Sequence, residues 1–478
     1  MKRYSVILLV VFAVACVQSA IGQIDRSKKP EPAPTPKLTL PKIQRTTLAN
    51  GLNVMLVEHR ELPVVQMQMV IMSGAVNDPE GKSGLANLTA QMLDEGTKRR
   101  TALQIADDVD FIGANLSINA TVDATYANLL TLKEHLVAAM DIYADVLLNP
   151  TFPESEWDRV KKTHLTTLLQ QKDLPAFVAD RIFNHVTFGE RHPYGRSSLG
   201  NQQSVEGITI DDMKRFYAAH YLPNNATLIV VGDVSLKEIT THLDNFFKTW
   251  KKGETVAASF PSVPAIGGNR IYLVDKPQAA QSEIRIGHEG VRRNNEDYFP
   301  LVVLNTILGG QFSSRINMNL RETKGYTYGA RSAFAFWKNG GPFIASSAVR
   351  TNVTDSSIIE FMKELRRIVD EDVTEKEINF AKNSLIRREP QNFETPQQIA
   401  GQLVVIALHN LPDNYFDTYV QNFEKVSIAD VRRVAKKYLN PASMNIVIVG
   451  DVATIKDGLE KLGYGKAQLL DPDGKAMN

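Results

Sequence analysis

An internal duplication constrains the fold of this chain more than any other feature of its sequence. Residues 208–234 align without gaps with residues 426–452, and each stretch reads as a helix, a proline-marked turn and an apolar strand that ends at Gly-Asp. A second match precedes it in the same order and pairs two triplets, Glu154, Glu156 and Lys161 with Glu375, Glu377 and Lys382. The repeat is far longer than a solenoid unit, so it indicates two homologous domains.

The hydrophobic pattern predicts the class and limits of these domains. Strand-like segments stand at both ends of each half, and long amphipathic helical stretches lie between them. This arrangement predicts an α+β protein with two tandem α/β sandwich domains rather than a doubly wound parallel sheet. We expect the domains at residues 43–250 and 269–470, joined by a linker at 251–268 that is rich in Pro, Gly and Ser.

The first 42 residues are predicted to be a targeting segment followed by a spacer. Two basic residues precede the apolar run at 6–15, which is too short to span a bilayer. Residues 1–22 are therefore predicted to be a signal peptide, and the Pro-rich residues 23–42 an extended tether. Small residues at 20–22 suit cleavage before Gln23, whereas residues 13–16 resemble a lipoprotein box that would place a lipid anchor on Cys16. We expect an exported protein, periplasmic or envelope-associated, and both processing routes stay open.

Charge and cysteine content exclude several functions. The chain has 54 Lys and Arg against 53 Asp and Glu, so a net charge of +1 gives no general reason to bind nucleic acid. One cysteine cannot form a disulfide or a Cys-based zinc site within the chain. Neither a Gly-rich phosphate loop nor a Ser nucleophile elbow occurs in the sequence.

Within residues 84–97, the apolar residues Leu85, Leu88, Met92 and Leu93 recur at helical spacing and predict one buried helical face. Asn87, Ala90 and Gln91 fall outside that face. Together with other motifs, this stretch resembles the pitrilysin/insulinase family of inverted zincin metallopeptidases. The resemblance covers about residues 43–460 and implies a mitochondrial-processing-peptidase-like fold. The motifs that carry it are Asn50-Gly51-Leu52, Gly74-Ala75, Gly84-Leu85-Ala86, Met92-Leu93, Gly96-Thr97, His192-Pro193-Tyr194-Gly195 and the two Gly-Asp strand ends.

The chain departs from the family at the metal site. Active members carry H-x-x-E-H, whose histidines bind zinc and whose glutamate is the general base. Here Asn87, Ala90 and Gln91 replace those three residues, and amides are poor zinc ligands. The resemblance places the third ligand within residues 166–171, which contain no carboxylate, and nearby His164 is interpreted as a packed or surface residue. We therefore predict no metal and no cofactor in this chain.

The second half keeps a different family signature. Residues 309–315 and 320–329 resemble the C-terminal-domain motif in which an arginine and a tyrosine seven residues later reach the zinc site. By that spacing the pair is Arg321 and Tyr328. The resemblance implies that they bind the scissile carbonyl and stabilise its oxyanion. Tyr326 and Tyr328 would share one face of a strand, so the sequence leaves open which of them faces the chamber.

These features predict a chain that is inactive alone. Our first hypothesis is the zinc-free subunit of a heterodimeric metallopeptidase that cleaves unfolded peptides. Its partner would be a homologous subunit with an intact H-x-x-E-H motif, and that partner would hold the zinc. The alternative is a non-catalytic structural or peptide-holding subunit, like the core subunits of respiratory complexes.

Overall fold

The computed structural model describes residues 42–477. The predicted signal peptide, the tether up to residue 41 and Cys16 lie outside the described residues, so cleavage before Gln23 and lipidation both remain predictions. Within the described range, no helix has the length and apolar character needed to cross a membrane.

The first half of the chain forms a mixed sheet of six strands. In spatial order they are β1-β2-β6-β3-β5-β4. Strand β6 lies in the interior, parallel to β2 and antiparallel to β3, and all of its residues are buried. Strands β1 to β6 are Gln44–Thr47, Asn53–Glu58, Val64–Ile71, Asn115–Ala120, Thr125–Leu132 and Ala226–Gly232.

The second half repeats this topology. Its order is β12-β7-β11-β8-β10-β9, and β11 again lies parallel to β7 and antiparallel to β8. The edge strands differ, because β1 pairs antiparallel with β2 whereas β12 pairs parallel with β7. Strands β7 to β12 are Arg270–Asp275, Gln281–Glu289, Ala330–Phe334, Pro342–Arg350, Asn445–Gly450 and Gln468–Leu470. The predicted α+β class with two tandem units is confirmed.

Helices connect and cover both sheets. Those of the first half, α1 to α8, are Leu85–Gln91, Ala102–Phe111, Leu136–Leu148, Glu154–Lys172, Pro175–Phe188, Gln202–Glu206, Ile210–His220 and Leu236–Phe247. Those of the second half, α9 to α16, are Tyr298–Leu308, Arg315–Asn317, Thr354–Asp370, Glu375–Arg388, Pro396–His409, Tyr419–Glu424, Ile428–Tyr438 and Val452–Glu460. A π-helical turn, Met318–Thr323, continues α10.

The duplication extends to individual hydrogen bonds. Helices α7 and α15 begin with the same capping box, formed by Thr209 with Asp212 and by Ser427 with Asp430. In the first half, the ammonium group of Lys161 also donates to the carbonyl oxygens of residues 206 and 208. Its repeat equivalent in the second half donates to the carbonyl oxygens of residues 424 and 426. The matched residues therefore make matched contacts.

Each half covers the second face of the other half's sheet with one helix. Helix α5 of the first half contacts strands β8 and β11, and its Val178, Ile182 and Phe183 share one apolar cluster with residues of β7 and β11. Helix α13 of the second half packs Ile399, Leu403 and Ile406 on the first sheet. Each fully buried side chain of this kind contributes about 1.5–3 kcal/mol. The two predicted sandwiches are thus interlocked, which the sequence pattern did not indicate.

A ring cluster and a buried carboxylate also join the halves. The Tyr194 ring lies 4.7 Å from Trp337 and 5.4 Å from Phe260, a residue of the segment at 251–268 that forms neither helix nor strand. The Tyr194 hydroxyl donates to Asp123 Oδ1 (2.7 Å), and the backbone N–H of Lys338 donates to Asp123 Oδ2 (3.0 Å). Burial raises the pKa of Asp123. The family-like motif at 192–195 therefore has a structural role between the halves.

Candidate functional site

The segment that replaces the zinc motif forms a short helix, α1. It begins after Gly84, whose φ of 96° lies in the left-handed region and whose Cβ position would meet the Leu199 carbonyl oxygen at 2.8 Å. Asp78 caps the helix by accepting from the N–H groups of Gly84 (2.8 Å) and Ala86 (2.7 Å), and burial raises its pKa to about 7. Helix α1 ends at Gln91, just before Met92 and Leu93 of the predicted helical face, and turns follow.

The two amides at the lost ligand positions bind each other. Gln91 Nε2 donates to Asn87 Oδ1 over 2.7 Å, and Asn87 Nδ2 lies 3.5 Å from the Ala120 carbonyl oxygen. Asn87 is buried and Ala90 is fully buried, so the side of the helix outside the apolar face is covered as well. The helix is buried nearly all round because β4, α4 and α7 contact it. One amide satisfies the other where two imidazoles would hold zinc.

The region of the missing third ligand likewise contains no carboxylate. On α4, Leu168 is buried, and the His164 ring nitrogen Nε2 lies 2.8 Å from the Leu199 carbonyl oxygen. Burial lowers the pKa of His164, so the neutral ring donates this hydrogen bond. The interpretation of His164 as a packed residue is confirmed. Across residues 42–477, no three His, Cys, Asp or Glu side chains are grouped so that they could hold a metal ion.

The surviving motif in the second half is built on a tight loop. Gly309 is required there, because a Cβ would lie 2.3 Å from the backbone nitrogen of Ser332. The buried Asn317 side chain donates to the Phe312 carbonyl oxygen (2.6 Å) and accepts from the Ala330 N–H (3.1 Å). It therefore joins the loop at 309–314 to the start of β9, just after Tyr328. Pattern analysis missed Asn317, although a polar residue between apolar Ile and Met in a helix was a usable signal.

A bidentate ion pair between Arg315 and Glu377 also fixes this loop. Arg315 donates from Nε and Nη2 to the two carboxylate oxygens of Glu377, at 2.6 and 3.0 Å. Burial disfavours the charged carboxylate, but Arg315 and the Thr374 N–H outweigh it and lower the pKa of Glu377 to about 2. The loop that precedes Arg321 is therefore held to helix α12.

Arg321 lies on the π-helical turn with its guanidinium stacked on an aromatic ring. Its Cζ is 4.7 Å from the ring centroid of Phe312, and its Nε is 3.2 Å from Glu322 Oε1. The side chain is 38% exposed, so N–H donors remain for a ligand. Phe312 is itself 60% exposed and was not singled out from the sequence.

Tyr326 and Tyr328 are distinguished by exposure. Tyr328 is 90% exposed, whereas Tyr326 is half-buried and its N–H donates to the Leu320 carbonyl oxygen (2.9 Å). The prediction that the two tyrosines share a strand face was wrong, because β9 begins only at Ala330. In this segment the Thr327 hydroxyl donates to the carbonyl oxygen of Ala348 in β10 (2.6 Å). Which tyrosine acts in catalysis stays a prediction, and exposure favours Tyr328.

The fold, the replaced zinc motif and the Arg321/Tyr328 motif together define a relative of the two-domain zinc peptidases whose own metal motif is replaced. Residues 54–196 match the family model described as "Insulinase (Peptidase family M16)", and residues 207–385 match "Peptidase M16 inactive domain". The chain belongs to this family, the pitrilysin/insulinase or M16 peptidases. The predicted family resemblance is thereby confirmed.

Relatives and solved structures agree with this assignment. An uncharacterized zinc protease of Mycobacterium leprae is 27% identical over 400 residues, which cover 83% of this chain and 89% of that protein. A protein of Helicobacter pylori named as a non-peptidase homolog is 22% identical over 397 residues, 82% of this chain and 90% of the relative. The crystal structure of a peptidase M16 inactive domain from Pseudomonas fluorescens superposes with a TM-score of 0.81 at 27% identity, covering 86% and 98% of the two chains.

Proposed function

We propose that this chain is the zinc-free subunit of a heterodimeric metallopeptidase. In this proposal it supplies Arg321 and Tyr328 to the active site of a zinc-bearing homologous partner, and the substrates are unfolded peptides. One observation carries the proposal. The Arg321 and Tyr328 side chains stay exposed on a firmly held loop, while the zinc motif of the same chain has become a buried amide pair.

The chemistry follows from the donors that these side chains present. Arg321 keeps free N–H groups on a guanidinium that Phe312 and Glu322 hold in place, so it can bind a peptide carbonyl oxygen without reorganising. Tyr328 adds one O–H donor. Zinc in the partner would supply the activated water, and the negative charge that develops on the carbonyl oxygen would fall between the two donors. Interactions that strengthen as this charge develops accelerate the reaction.

A second candidate function is a non-catalytic structural or peptide-holding subunit. The name of the Helicobacter pylori relative, a non-peptidase homolog, favours it. The two candidates differ in whether Arg321 and Tyr328 affect turnover once a complex has assembled.

Reconstitution tests the proposal. The chain is produced alone and together with a family member that has an intact H-x-x-E-H motif, and complexes are isolated by size-exclusion chromatography. We expect chelator-sensitive hydrolysis of an unstructured peptide by the complex and none by this chain alone. Hydrolysis by the isolated chain, or a complex whose rate does not exceed that of the partner, contradicts the proposal.

Export is part of the same proposal and has its own test. Mass spectrometry of the mature protein from cell envelopes should find either a chain that begins at Gln23 or a diacylated Cys16. A cytoplasmic protein that retains Met1 contradicts both routes.

A further inference from the structure

A cavity of about 200 Å³ is lined by residues of both halves, and none of residues 309–329 lines it. Helices α4 and α5 and the segment at 194–199 form most of its wall, and Trp337 of the second half closes it. Its apolar surface includes Leu168, near the position where family resemblance expects the third zinc ligand, and Phe177, which is half exposed at 51%. An apolar group that enters the cavity would therefore contact side chains of both halves.

Two arginines line the same cavity, and each has a buried N–H group without a partner. The Nη2 group of Arg181 donates to the Pro472 carbonyl oxygen and lies 3.3 Å from Asp473 Oδ1. The Nε of Arg181 is buried and has no hydrogen-bond partner. Arg196 has one long contact, from Nη1 to the Pro79 carbonyl oxygen at 3.5 Å, and its Nε is likewise buried and unbonded. Both Nε atoms are out of contact with solvent, so an acceptor in the cavity would meet the outer Nη groups of these arginines instead.

The charge around the cavity favours an anion. Among residues 42–477, no ion pair joins Arg196 to a carboxylate, although the buried Asp78 carboxylate interacts with it electrostatically. Asp180 also lines the cavity, and its carboxylate accepts from Arg285 Nε at 2.5 Å, an arginine that it shares with Glu283. A guanidinium presents a planar fork of N–H groups that matches a carboxylate.

We propose that this cavity binds a carboxylate attached to an apolar group, which is the chemistry of a peptide C-terminus with an apolar last residue. Arg196, with Arg181 beside it, would receive the carboxylate, and Leu168, Phe177 and Trp337 would surround the apolar side chain. A glutamate or aspartate side chain within a peptide offers the same carboxylate, so the experiment separates the two sources. The inference concerns this chain alone and goes beyond the proposed role of Arg321 and Tyr328.

Fluorescence anisotropy with the purified full chain tests the inference. Three labelled peptides are compared: one that ends in leucine with a free carboxylate, the same peptide with an amidated end, and an amidated peptide with an internal glutamate. We expect the free acid to bind about 10- to 100-fold more tightly than its amide, because a hydrogen bond to a charged group is lost. Binding of the glutamate peptide as tight as that of the free acid would identify an acidic side chain as the source.

Matched variants locate the site. Arg196→Gln should weaken binding of the free acid about 10- to 100-fold, and Arg196→Lys should weaken it less because the charge is kept. Arg191→Gln is the control, since Arg191 is exposed on the same segment and does not line the cavity, and it should leave binding unchanged. Melting temperatures check that each variant folds. Equal affinity of the wild-type chain for acid and amide overturns the inference, as does unchanged binding by a folded Arg196→Gln variant.

Discussion

Replacing Tyr328 with phenylalanine should slow peptide hydrolysis by the assembled complex without changing the stability of this chain. The Tyr328 side chain is 90% exposed, and its hydroxyl has no hydrogen-bond partner in the part of the chain that the structure describes. Removing that oxygen should therefore change the free energy of unfolding by less than about 0.5 kcal/mol. Loss of one oxyanion donor, in contrast, lowers turnover by about 10²–10³, equivalent to about 3–4 kcal/mol of transition-state stabilisation.

The assay is hydrolysis of an unstructured peptide by the reconstituted complex, with kcat and KM measured separately. Tyr326→Phe is the control, because Tyr326 is half-buried and removal of its hydroxyl should leave kcat near the wild-type value. Arg321→Ala should lower kcat and also raise KM, since a guanidinium binds the ground-state carbonyl as well. Complexes of Tyr328→Phe and Arg321→Ala that both assemble and cleave at wild-type rates would refute the catalytic role and favour the structural subunit.

Three further outcomes are expected. The chain that carries Asn87→His, Ala90→Glu and Gln91→His together should bind no stoichiometric zinc. The third ligand is still missing, and the new glutamate replaces a fully buried alanine. Elemental analysis that finds one zinc per chain would contradict this. Tyr194→Phe should lower the free energy of unfolding by about 1–3 kcal/mol, because Asp123 and a backbone N–H each lose a hydrogen-bond partner. Urea denaturation measures this, and an unchanged midpoint of unfolding would disprove it. Glu377→Gln should cost about 1–2 kcal/mol at pH 7, after allowance for solvent screening. Because the folded pKa is lowered from 4.5 to about 2, this cost should shrink as the pH falls from 4.5 towards 2, and a pH-independent difference would count against the ion pair.

Local chemistry made several features predictable from the sequence. The repeat shows in matched caps and Gly-Asp strand ends because these residues act on neighbours within a few positions. The replacement of the zinc motif by Asn87, Ala90 and Gln91 can likewise be recognised from the sequence, because the ability to bind zinc depends on residue type. The α+β class followed from the order of strand and helix patterns.

Other features depend on contacts between distant parts of the chain. An apolar stripe shows that α5 or α13 must be buried, but it does not specify the surface that buries it, and each helix turned out to cover the sheet of the other half. The same limit applies to Tyr328. Period two predicted a strand face, whereas the strand begins only at Ala330 and the Thr327 hydroxyl donates to the carbonyl oxygen of Ala348, a residue 21 positions away.

The sequence by itself therefore determined that the zinc motif is replaced and that the chain consists of two related halves. The tertiary structure alone decided that the side-chain amides of Asn87 and Gln91 form a hydrogen bond with each other in a buried helix. It also decided that the Arg321 guanidinium stacks on Phe312 and keeps N–H donors available for a ligand. It also decided that Arg181 and Arg196, which are 15 positions apart, line one cavity. The physical reason is that residue type and spacing fix what a side chain can donate or accept, whereas burial and partner choice arise only when distant segments pack together.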